Sequence, residues 1–155
     1  MTTVEAFTAA HHEALRAWAR GLYPLEAATE LLIRGCGGRF AETGQAWVHV
    51  EDHGRAWIDF DELAEQLAAG GPWSGGERRI LSLAASLGAD GGLLNENLPG
   101  LDRDNLALVL AAVSHAGGSH EHVPTPILID DAGNAYRNPD RERPAPLYLW
   151  PQGTA

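Results

Sequence analysis

Three histidines, His115, His120 and His122, fall within eight residues of this chain. Imidazole nitrogen is a good ligand for zinc and for neighbouring divalent transition metals. If residues 119–123 are extended, the alternation of side chains along a strand turns His120 and His122 to one face. His115, at the end of the preceding helix, or Glu121 then completes three nitrogen or oxygen ligands for zinc or another divalent ion. His49 and His53, with Asp52, offer further ligands. The spacing matches no established zinc motif. The simpler account is a solvated polar loop, with His115 in the last turn of its helix, where positive charge is favourable.

Other chemically suggestive groups have local explanations. Asp59, Asp61 and Glu62 read as paired carboxylates, yet capping of a helix start explains Asp59 and Glu62 with fewer assumptions, and the same holds for Asp102 and Asp104. Ser74-Gly75-Gly76-Glu77-Arg78 looks like the signature loop of ABC-type ATPases. That chemistry also needs a GxxxxGK[ST] loop, and the chain has no lysine. Ser74 and Glu77 instead form a capping box. Asp130 and Asp131 lack the spacing of a calcium loop and have the residues of a turn. Cys36 becomes a nucleophile only with a histidine close in space. His11 lies within the apolar stripe of its helix and reads as a core or interface histidine. Arg78 and Arg79, on the second helix of a helix-turn-helix outline, are the two residues able to reach DNA. Among the five tryptophans, Trp150 and Trp73 are the candidate partner-binding anchors.

The elements that must position these groups follow from periodicity. Val4, Phe7, His11, Leu15, Trp18 and Leu22 form one stripe of a helix from about Thr3 to Arg20, and a second helix begins at Pro24 and ends at Gly35. Trp47 to Val50 and Ala56 to Phe60, joined by Glu51-Asp52-His53-Gly54, predict a central hairpin. Asp59 starts a helix to Ala69, Ser74 starts one with Ile80, Leu81, Ala84 and Leu87 buried, and Asp102 starts one whose stripe runs through Leu106, Leu110 and Val113 to Gly117. From residue 118 to 155 the chain turns proline-rich and extended, with a hairpin around Asp130 to Asn134 and an edge strand at Leu147 to Trp150. The expected fold is α+β, mainly α, with about five helices, a central β-hairpin and a C-terminal extended or β segment packed on a single domain spanning 1–155.

Composition bounds the functional classes. The chain has 155 residues, 11 basic residues that are all arginine, 21 acidic residues and a net charge of −10. Absent lysine removes Schiff-base and phosphate-loop chemistry. The acidic balance argues against nucleic acid and anionic membranes. A lone cysteine removes disulfides and thiolate zinc sites, and apolar runs fall far short of the ~20 residues of a membrane span, so a cytoplasmic protein is expected.

From Glu26 to Gly117 the sequence resembles a group of small uncharacterised proteins from high-GC bacteria. The shared residues are Glu30-Leu31-Leu32-Ile33, Trp57-Ile58-Asp59-Phe60, Glu77 to Leu87 ending Ala84-Ala85-Ser86-Leu87, Leu101-Asp102 with Asn105, and His115-Ala116. The resemblance implies a mostly helical domain and brings no catalytic residues; His120 and His122 fall outside it. The expected role is a non-enzymatic interaction or accessory protein that binds another protein or itself as a homodimer. The alternatives are a zinc-like metal enzyme or sensor using His115, His120 and His122, and a DNA-binding regulator using Arg78 and Arg79.

Overall fold

The computed structural model describes residues 2–89, 94–121, 127–137 and 145–152. Among the described residues six α-helices run in chain order as α1 (Thr3–Ala19), α2 (Tyr23–Arg34), α3 (Phe60–Ala69), α4 (Gly75–Gly88), the short α5 (Leu94–Asn97) and α6 (Arg103–Ala116). Two antiparallel hairpins accompany them, β1 (Val48–Val50) with β2 (Ala56–Ile58), and β3 (Ile127–Ile129) with β4 (Ala135–Arg137). This is the expected α+β arrangement with helices dominating. No helix among the described residues is long and apolar enough to cross a membrane.

Helix starts follow local chemistry. The Asp59 side chain accepts from the Glu62 amide at 2.9 Å, and the Asp102 side chain from the Asn105 amide at 2.8 Å. Ser74 and Glu77 exchange both bonds of a capping box, which gives the Ser-Gly-Gly segment its role. Thr2 and Glu5 do the same for α1. Asp130 accepts from the amides of Ala132 and Asn134, so its carboxylate is spent on the β3–β4 turn.

Helix α2 is the centre of the fold, packed by α1, α4 and α6. Ala27, Ala28, Leu31, Leu32 and Ile33 are buried, and each large aliphatic side chain removed from water contributes ~1.5–3 kcal/mol. Steps of four residues leave a polar stripe along this core helix, Glu26, Glu30 and Arg34.

Three expectations are corrected. Leu15 and His11 are buried on α1, but Val4 and Phe7 at its first turns are 74% and 64% exposed, because nothing among the described residues packs over that end. On α6 the buried face is Val109, Ala111, Ala112 and Ser114, whereas Leu106, Leu110 and Val113 stay exposed. Small side chains let α6 come close to α2, and this closeness outweighs the greater hydrophobicity of the leucine stripe. Residues Leu147 to Trp150 form no strand; the segment lies against the end of α6, with the Tyr148 amide donating to Ser114 Oγ at 3.2 Å.

Candidate metal centre

The end of α6 is closed by a Schellman turn, and this turn builds the site. The Ser119 amide bonds the Ser114 carbonyl at 3.2 Å and the Gly118 amide bonds the His115 carbonyl at 2.8 Å, with Gly118 at φ +69° between them. Glycine is required here on two counts. The left-handed conformation disfavours a side chain, and a Cβ would stand 3.2 Å from the Tyr23 ring. The reversal folds His120 back over His115, so that the two imidazoles stack with centroids 4.3 Å apart and planes inclined by 13°. The Tyr23 ring lies beside the pair, edge-on to His120 at 4.8 Å and to His115 at 6.0 Å.

The third member comes from α2. Glu26 Oε2 lies 2.6 Å from His115 Nε2, while Glu26 Oε1 accepts from the Gly21 amide at 2.8 Å. One potential ligand atom from each of Glu26, His115 and His120 lies within 4.8 Å of the other two, and all three side chains are half-buried. Among the described residues this is the one group of three or more such side chains close enough to share an ion.

The electrostatics keep the carboxylate ionised. Burial pushes the Glu26 carboxyl up, but the Gly21 amide and the two histidines together outweigh it and hold it below the ordinary value. His120 Nδ1 is buried and has no hydrogen-bond partner among the described residues. An unsatisfied buried polar atom costs about 1–3 kcal/mol, so this nitrogen is available to a ligand at no loss of existing bonds.

These groups fit zinc by type. Two imidazoles and one carboxylate are its common nitrogen and oxygen donors, and bond lengths near 2.0–2.2 Å place tetrahedral donors about 3.3 Å apart. The His115 and Glu26 pair, now in hydrogen-bond contact at 2.6 Å, has to part by about 0.7 Å to reach that spacing. Three protein ligands leave a fourth position open.

The structure thus joins two of the expected ligands, His115 and His120, with a third that the sequence reading missed. His122 lies outside the described residues. His120 sits in a turn, not on a strand, because the Schellman motif takes the chain through Gly118. Glu26 is 89 residues away in sequence from His115, and its one local signal is the polar stripe on an otherwise apolar helix. His49 instead stacks on Trp57 at 4.2 Å, and His11 is buried with Nε2 2.8 Å from the Ala41 carbonyl.

The remaining candidates are placed as follows. Trp150 is half-buried beside the centre, 6.1 Å from the His115 ring, with the Arg34 guanidinium 5.2 Å from its own. Trp73 is half-buried against Trp47 and the core, 5.9 Å from the Arg78 guanidinium. Arg79 folds back on its own chain against Gly75 and Gly100. Burial, followed by the nearby Glu77, raises the Cys36 thiol above its ordinary value, which keeps it protonated and a poor nucleophile. Comparison with protein-family models, with curated proteins and with solved structures finds no significant match to this chain.

Proposed function

We propose that the protein binds one divalent cation, zinc by its donor set, through Glu26, His115 and His120. The observation that carries this reading is the convergence within 4.8 Å of one ligand atom each from Glu26 on α2 and from His115 and His120 at the end of α6. An ionised carboxylate offsets one of the dication's two charges, two imidazoles add neutral nitrogen donors, and the Schellman turn fixes His120 before the ion arrives. The open fourth position resembles catalytic rather than structural zinc sites. Calorimetric titration of zinc into untagged, chelator-stripped protein tests this. One equivalent per chain is expected, with binding lost in His120→Ala while the helical circular dichroism is retained. Absence of any binding heat and of any zinc uptake by the wild-type protein overturns it.

A second reading, a non-enzymatic protein-interaction role, is favoured by the exposed apolar stripe Leu106, Leu110 and Val113 on α6. Its occupant is a second copy presenting the same stripe about a two-fold axis. Light scattering tests it: a dimer converted to monomer by Leu110→Glu supports the role, and a strict monomer at high concentration rejects it.

A further inference from the structure

A cleft of about 230 Å³ between α1 and α2 is lined by Glu26 and His115 of the proposed metal centre and by Trp150. Its volume is below the ~300–1,000 Å³ of sites for drug-sized ligands, so its occupant is small. The walls carry three arginines, Arg16, Arg20 and Arg34, and three glutamates, Glu13, Glu26 and Glu30. Formal charge is therefore balanced without an ion. A bound dication leaves the cleft at +2, and the complementary ligand is an anion. The overall charge of −10 does not reverse this, because exposed charges beyond about 8 Å are screened at physiological salt.

The arginines are not equivalent. Arg16 and Arg34 both donate to Glu30, whose carboxylate is thereby used, and Arg16 also reaches Glu13. Arg20, exposed at the end of α1, has no ion-pair partner among the described residues. Thr29 also lines the cleft; it is 0% exposed, and its buried Oγ1 has no hydrogen-bond partner among them. An exposed guanidinium fork and a hydroxyl, neither paired among the described residues, line the same cleft as Glu26 and His115, and both are donors to a carboxylate or phosphate group.

We propose that the metal centre takes a small oxyanion, a carboxylate or phosphate, as its outside ligand, bound at the open coordination position and gripped by Arg20, with Thr29 as a further donor. This rests on the metal reading above. The experiment uses untagged, chelator-stripped full chain loaded with cobalt(II), whose visible absorption reports its ligands, and titrates acetate and inorganic phosphate in separate arms. A saturable spectral change is expected in at least one arm. Response to phosphate alone assigns a phosphate ligand, and response to acetate alone assigns a carboxylate. Arg20→Ala, an exposed change that leaves the core intact, is expected to raise the half-saturating anion concentration about tenfold, the effect of one charged hydrogen bond, with cobalt affinity within about twofold. Cobalt uptake with a spectrum that neither anion moves overturns the oxyanion proposal and leaves the metal centre standing, as does equal anion affinity in Arg20→Ala. Failure to take up cobalt at all overturns the metal reading itself, so the two failures are distinct.

Discussion

Replacing Glu26 by glutamine separates a metal ligand from a merely structural carboxylate. The amide is nearly isosteric, and its oxygen can still accept from the Gly21 amide that now lies 2.8 Å from Glu26 Oε1. Its NH2 group can face His115 Nε2 once that ring changes tautomer. Without metal the substitution therefore costs less than about 1 kcal/mol, the net worth of one partly exposed hydrogen bond. With metal the cost is larger. Changing a group that only orients a ligand lowers affinity 10–100-fold, so neutralising a direct ligand costs at least about 100-fold, or ~2.7 kcal/mol. At a zinc concentration 100 times the wild-type Kd, wild-type protein gains about 2.7 kcal/mol of stability and the variant, now near its own Kd, about 0.4 kcal/mol. Competition for zinc against a chromophoric chelator gives both affinities, and urea melts without zinc give the fold control. Unchanged zinc affinity in a folded Glu26→Gln protein refutes the assignment.

Further consequences follow from the same packing. Gly118→Ala places a Cβ in the left-handed region beside Tyr23, and is expected to cost about 1–2 kcal/mol in urea melts and to weaken zinc binding by displacing His120. Gly88→Ala drives a methyl to within 2.3–2.7 Å of Phe60 ring atoms, a backbone-borne clash with a buried ring, and is expected to cost about 1–3 kcal/mol without altering zinc affinity. Burial, then the neighbouring His11 and Arg16, hold the His12 imidazole below its ordinary value of 6.5. The unfolded chain thus takes up this proton first, so the contribution is complete above pH 6.5 and is lost as pH falls from there towards the folded-state value. Metal-free His12→Gln is expected to show a shallower loss of stability between pH 7 and 5.5 than the wild type, with the His12 share below about 1.4 kcal/mol per pH unit.

What the sequence made legible was local. Asp59, Ser74 with Glu77, and Asp102 act within three residues of themselves, so their caps could be read directly and were found where expected. The hairpin turns were legible for the same reason. Facing was harder, because an amphipathic helix states which side is apolar but not which side another helix needs. On α6 the small residues Ala112 and Ser114 face inward, and the leucine stripe is left outside. The candidate centre was half legible. Proximity in sequence gave His115 and His120, whereas a left-handed turn at Gly118 stands where an extended segment was expected. Glu26 joins them only through the packing of α2 on α6, a tertiary fact that no local rule contains.

The most direct test of the central claim is the melting temperature of untagged, chelator-stripped protein with and without zinc. Ligand that binds only the folded state at 100 times its Kd stabilises by about 2.7 kcal/mol, which in a chain of this size raises Tm by roughly 5–10 °C. A rise of that order is expected, saturating at one zinc per chain and abolished in His115→Ala or His120→Ala. A wild-type melting curve that zinc leaves unchanged, in protein confirmed as folded and metal-free, contradicts it.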